Sequence, residues 1–168
     1  DTFLPVVDGV GRVASNYAAV MGDLCEACYV ITPQQKNLVL RNPSYELVDY
    51  KSLPLPGMPH YRIGWPALDA GYRRRMANIQ MDIVHAHDPF ITGCEAYRVS
   101  RRQGIPLVAT FHSKYYDDFY QITHSKILSK RGVDFVVRFY SQCDQVWTVS
   151  HSAAQVLRGY GYAGPLEV

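Results

Sequence analysis

Histidine is the side chain whose ordinary pKa lies nearest neutrality, and in this chain it recurs where apolar runs turn polar. Three short apolar runs close in polar clusters: Ile83-Val84-His85-Ala86-His87-Asp88, Leu107-Val108-Ala109-Thr110-Phe111-His112-Ser113, and Val146-Trp147-Thr148-Val149-Ser150. Each reads as a buried strand followed by a helix-start signal. In an open parallel sheet the ligand sits outside the carboxyl ends of the strands. His87 and His112 are therefore expected on one rim, facing a small polar ligand.

His112 is the leading catalytic candidate, because imidazole donates or accepts a hydrogen bond near neutral pH and suits a sugar hydroxyl or a developing charge. His85 lies two residues before His87 and shares its strand face, so it is expected to be hydrogen-bonded within the strand. Asp88 and Ser150 read as helix N-caps. Ser113 and Lys114 follow His112 at once, and Lys114 either meets a phosphate or points to solvent. The aromatic-acidic stretch at 115–120 is expected to pack mainly on the sheet, with its first turn available to line a cleft.

Other motifs are weaker. Two histidines on one strand face need a third ligand to hold a metal, and no spacing supplies one; no metal and no bound cofactor are expected. Cys25-Glu26-Ala27-Cys28 has redox or metal spacing, but Cys28 opens an apolar strand and no second pair completes a zinc site. The four cysteines are thus expected to be plain thiols of a reducing compartment. Gly9-Val10-Gly11-Arg12-Val13-Ala14 matches the dinucleotide fingerprint G-x-G-x-x-A. That fingerprint needs a hydrophobic strand running into the first glycine, and Pro5-Val6-Val7-Asp8 is not one. What remains is a loop without bulky side chains at a helix N-terminus, where backbone amides can approach an anionic or hydroxyl-rich ligand. Neither a nucleophile elbow nor a Walker loop occurs.

The elements that must position these residues alternate. Apolar Val13, Tyr17, Val20, Met21 and Leu24 define one face of a helix over 11–24. Strands are expected at 28–32 and 45–50, the latter with Leu47 and Tyr45 facing inward. The segment 53–66 holds four of the ten prolines and reads as an irregular excursion with a short strand at 61–63. A helix over 67–79 precedes a strand at 82–85. The next helix starts with Asp88 as cap and Pro89 at its first position, and ends with Arg101 and Arg102 before Gly104. A strand at 106–110, helices over 114–130 and 134–142 broken at Gly132, a strand at 145–149 and a helix from Ser150 to about 159 complete the series. A last strand begins at 166. Strands alternating with helices imply an α/β fold with a Rossmann-like, doubly wound parallel sheet.

Composition bounds the partners. The chain has 168 residues, 48% hydrophobic and 19% charged, with a formal net charge of +2. That suits one soluble domain with a substantial core and gives no electrostatic case for nucleic acid. No stretch reaches the length of a membrane span. The chain opens without Met, on the loop-like Asp1-Thr2-Phe3-Leu4-Pro5, and stops at a strand start, so it is expected to be a fragment cut at both ends.

Taken in order, Asp1-Thr2-Phe3-Leu4-Pro5-x-x-Asp8-Gly9-Val10, Val30-Ile31-Thr32-Pro33, Asp82-Ile83-Val84-His85-Ala86-His87-Asp88-Pro89-Phe90, Gly104-Ile105-Pro106-Leu107-Val108-Ala109-Thr110-Phe111-His112-Ser113 and Val146-Trp147-Thr148-Val149-Ser150 resemble the amino-terminal domain of glycosyltransferase family 4. These are retaining transferases of the GT-B fold, and the resemblance runs nearly end to end. It implies a half-enzyme over 1–168: the acceptor-side wall of a cleft whose nucleotide-sugar domain lies elsewhere, inactive alone.

By the same resemblance, Gly9, Val10 and Gly11 approach the donor diphosphate, His112 contacts the transferred hexose, and His87 and Asp88 lie at the cleft rim; Ser113 and Lys114, which follow His112, are expected to bind substrate beside it. The implied partners are a UDP- or GDP-linked sugar and a lipid or carbohydrate acceptor. Arg73-Arg74-Arg75 reads first as a solvated helix face; the alternative for it, and for Lys126, Lys130 and Arg131, is contact with an anionic membrane surface. The implied location is cytoplasmic, peripheral at the inner face of the membrane. Asp8 departs from the family's frequent asparagine, and Cys25-Glu26 from a frequent glycine-histidine pair. The competing reading is a non-enzymatic sugar- or nucleotide-binding module on the same fold. A GT-B epimerase would need residues that are not found.

Overall fold

The computed structural model describes residues 9–34, 44–55, 58–112 and 114–168. Ser113, and the opening segment with Asp8, lie outside the described residues. The chain divides into two compact units, Asp1–Gln80 and Met81–Val168, each taken by itself below.

In the first unit, helix α1 (Gly9–Leu24) precedes parallel strands β1 (Tyr29–Pro33) and β2 (Glu46–Tyr50), with Val30 beside Leu47 and Ile31 beside Val48. The helix begins two residues earlier than its apolar pattern predicts, so Gly9 and Val10 form its first turn rather than a preceding loop. Its packed face also differs from the expected one. Ala18 is buried with Tyr45, and Ala14, Cys28, Val30 and Leu47 close around them. Tyr17, Val20, Met21 and Leu24 are exposed. Small residues at i and i+4 bring the helix backbone close to the strands, which the larger stripe would not allow.

The proline-rich segment is not irregular. It forms an antiparallel hairpin, β3 (Ser52–Leu55) with β4 (Met58–Gly64), whose register shifts beside Pro54. Proline is tolerated at such an edge or bulge because no ladder donor is required of it. A 3-10 turn at Pro66–Leu68 then delays helix α2 (Ala70–Ala77). Asp69 caps α2 by accepting from the Gly71 and Tyr72 amides, and it also accepts from the Lys51 amide at 2.9 Å. These bonds, the one from Lys51 foremost, hold its carboxyl below the ordinary range.

The second unit is a four-stranded parallel sheet in the order β5 (Val84–Ala86), β6 (Leu107–Phe111), β7 (Gln145–Thr148), β8 (Leu166–Glu167). Consecutive parallel strands need crossovers, and helices supply them: α3 (Ile91–Gln103), α4 (Tyr115–Thr123) with α5 (Lys126–Tyr140), and α6 (His151–Gly159). This is the expected Rossmann-like α/β architecture. All five residues of β6 are buried, as a strand covered on both faces requires. Gly104 ends α3 in the left-handed conformation at φ 68 and Ser150 caps α6, both as predicted.

Two boundaries move. The break expected at Gly132 falls instead at His124, which turns left-handed at φ 49, and at Ser125, which caps α5 through the Leu128 amide. Gly132 lies inside α5, where a Cβ would sit 2.5 Å from the Phe119 ring. Its role is to let α4 and α5 approach, not to break a helix. Helix α3 likewise starts at Ile91 rather than Pro89, because Phe90 (φ −87, ψ −134) is not helical.

Candidate functional site

The site is built at the carboxyl ends of β5 and β6, within the second unit. His87 is the first residue beyond β5 and His112 the first beyond β6. The strands are parallel, with His85 beside Val108 and Ala86 beside Ala109. That register brings the two strand ends out together, and His87 Nδ1 lies 3.2 Å from His112 Nε2. One ring donates and the other accepts, so each fixes the other's orientation.

Below this pair, His85 Nε2 and the Thr110 hydroxyl are hydrogen-bonded at 2.7 Å. The edge of Trp147 stands against His85 with ring centroids 5.1 Å apart, and His85 and His87 are stacked obliquely at 4.2 Å. His85, Thr110 and Trp147 thus form a row across three strands, with Thr110 directly beside Trp147 in the ladder. The end of β6 is held from underneath, where the buried Tyr140 hydroxyl donates to the Thr110 carbonyl at 3.2 Å.

Burial sets the electrostatics. Desolvation foremost, and then the neighbouring imidazoles, push His85 down to about 4 and His87 down to about 3. Both rings are neutral near neutral pH, so His85 and His87 offer directional hydrogen bonds without adding charge. Among the described residues no group of three or more His, Cys, Asp or Glu side chains could hold a metal ion. The four cysteines are free thiols, Cys25 exposed and Cys28 partly buried.

The remaining predicted residues fall as follows. The N-cap of α3 is Phe90, which makes no side-chain bond, and not the predicted Asp88. Asp88 Oδ1 accepts from the Phe90 amide at 2.9 Å and the Gly93 amide at 3.4 Å, so it fixes the loop that carries His87 into α3. Lys114 is exposed at the start of α4. Gly9, Val10 and Gly11 occupy the first turn of α1 in the other unit, Gly9 exposed and Gly11 buried. The aromatic stretch behaves as predicted in part: Tyr115 is buried edge-on to Phe90 and Phe111, while Tyr116 and Tyr120 stack on each other. Sequence reasoning missed Thr110 and Trp147 as partners of His85. Only the strand register reveals them, although a hydroxyl inside the apolar run Leu107–Phe111 was a legible sign of a polar partner.

A family model described as Glycosyltransferase Family 4 matches residues 7–168. The alpha-monoglucosyldiacylglycerol synthase of Acholeplasma laidlawii is 28% identical over 131 residues, covering 77% of this chain and 32% of the relative. A synthase of the same description from Streptococcus pneumoniae (strain ATCC BAA-255 / R6) is 23% identical over 164 residues, covering 95% of this chain and 36% of the relative. The chain therefore spans about a third of the length of these two relatives.

Proposed function

The chain belongs to glycosyltransferase family 4, and from that premise we propose that the whole protein moves a hexose from a UDP- or GDP-linked sugar to a lipid hydroxyl, with retention of anomeric configuration. The lipid acceptor is favoured over a sugar because both relatives are described as synthases of a glucosylated diacylglycerol. In the reaction, the bond from the anomeric carbon to the diphosphate oxygen breaks and the nucleoside diphosphate leaves with the electron pair. The acceptor oxygen bonds to the same carbon and gives up its proton.

The observation that carries this reading is the His87–His112 pair at adjacent strand ends. His112 orients the transferred hexose through hydrogen bonding, and His87 positions the His112 ring. The neutral His85 and His87 beneath it suit this role, since they hold the ring through directional hydrogen bonding and packing without adding charge. Gly9, Val10 and Gly11 approach the donor diphosphate through the first turn of α1, whose backbone N–H groups and dipole favour negative charge. Asp88, Ser113 and Lys114 border the substrate, with Lys114 available to a phosphate. The protein works at the cytoplasmic membrane surface, with no metal or bound cofactor, and the 168 residues alone turn over no substrate.

The test is to incubate the full-length protein with a panel of nucleotide-sugars and diacylglycerol in mixed micelles and to read the product's anomeric configuration by NMR. The expected product is a glycosylated lipid with the donor's configuration. An inverted product, or donor hydrolysis with no glycolipid, would contradict the proposal.

A further inference from the structure

His112 leaves the carboxyl end of β6, and α4 starts at Tyr115. A functional ring on so short a connection is only as fixed as its two flanks. Helix α4 does not secure its own start, because Lys114 at the N-cap position makes no side-chain capping bond. The first amides of a helix have no partner within it, and here one is supplied from a distant element. The Tyr160 hydroxyl, at the end of α6, accepts from the Tyr116 amide at 3.0 Å across 44 residues of sequence.

The flank before His112 is held in the same manner. Tyr140 on α5 donates its hydroxyl to the Thr110 carbonyl at 3.2 Å. Both phenol rings also meet one side chain between these two bonds. The Phe111 ring, 1% exposed, stands edge-on to Tyr140 at 5.6 Å and to Tyr160 at 6.2 Å between centroids. Burial foremost raises both phenols above their ordinary value, so each remains a neutral hydroxyl at working pH.

We propose that Tyr160 is a positioning residue for His112: it caps α4 from α6 and, with Tyr140 on α5, fixes the chain on both sides of that imidazole. The hydroxyl carries the role, since a phenylalanine ring would keep the packing on Phe111 and lose only the bond to Tyr116. Tyr162 provides the contrast. It is more deeply buried, at 3% exposed, but its hydroxyl donates to the Pro165 carbonyl at 2.8 Å and to neither flank of His112.

The functional consequence rests on the reading that His112 orients the hexose, and the ring's own NMR signals separate the two. In full-length Tyr160→Phe the His112 imidazole signals are expected to shift and broaden. Its kcat should fall about tenfold, with KM for the nucleotide-sugar within about twofold, as displacement of a catalytic ring requires. Tyr140→Phe should act in the same direction. Tyr162→Phe should leave the His112 signals in place and kcat within about twofold.

A residue that acts through another loses its effect once that other is gone. Tyr160→Phe in a His112→Ala background should therefore lower kcat no further. Unmoved His112 signals with unchanged kcat in folded Tyr160→Phe would overturn the positioning role, as would an undiminished tenfold loss in the His112→Ala background. Normal turnover by His112→Ala, with the His112 signals still displaced in Tyr160→Phe, would instead overturn the hexose reading and uphold the hold on the ring.

Discussion

His87 and His112 meet because each is the first residue past a strand of one parallel pair, and their chemistry follows from their surroundings. His85 at about 4 and His87 at about 3 lie below the ordinary histidine value of about 6.5. As pH falls below about 6.5, the unfolded chain binds protons that these folded imidazoles do not. The stability they contribute is therefore full above about 6.5 and is lost progressively toward about 4 and then about 3. NMR titration of the imidazole protons in the full-length protein should show His85 and His87 still neutral at pH 5; normal titration of both would refute the buried, neutral cluster. In turnover, His87→Gln should lower kcat by up to about 100-fold with little change in KM, as expected when a catalytic ring is displaced but substrate contacts remain. Equal losses in both parameters would mean that His87 binds substrate directly. His87, Asp88 and His112 were legible in the sequence because they end apolar runs. Thr110 and Trp147 were not, because a strand's own residues do not state which neighbour it pairs with or in what register.

At the scale of elements, the loop that carries His87 depends on how closely α3 approaches it. A Cβ on Gly93 would stand 2.0 Å from the Asp88 carbonyl oxygen and 3.1 Å from the Phe139 ring. Backbone cannot yield as a flexible side chain can, so Gly93→Ala should destabilise the second unit by about 1–3 kcal/mol and lower activity by shifting the His87 loop. A melt equal to that of the unchanged protein would contradict the close approach. In the first unit, Asp69→Ala removes a cap and the acceptor for the Lys51 amide, which should cost about 1–2 kcal/mol in denaturant unfolding; an unchanged midpoint would remove Asp69 from that role. The strand–helix alternation of the second unit was legible because each strand is a continuous apolar run bounded by turn residues. The β3–β4 hairpin was not, since prolines hide an edge strand whose pairing spares their missing donors. Gly132 misled for a related reason: composition alone cannot distinguish a glycine that breaks a helix from one that lets two helices touch. The large apolar stripe of α1 misled because Ala14 and Ala18, not the bulkier residues, make the contact.

For the whole molecule, family 4 membership and the parallel α/β architecture agree with what the ordered motifs predicted, while the chain spans about a third of its two relatives. No helix among the described residues is long and apolar enough to cross a membrane. The account converges on one imidazole: if His112 holds the transferred hexose, glycosyl transfer depends on it whatever the acceptor. The most direct measurement is the turnover of full-length His112→Ala beside the unchanged protein, with nucleotide-sugar and diacylglycerol at saturation and the melt of each recorded. The account predicts an unchanged melt and a kcat lowered roughly 100-fold or more. Turnover within a few-fold of the unchanged protein, in a folded variant, would contradict it.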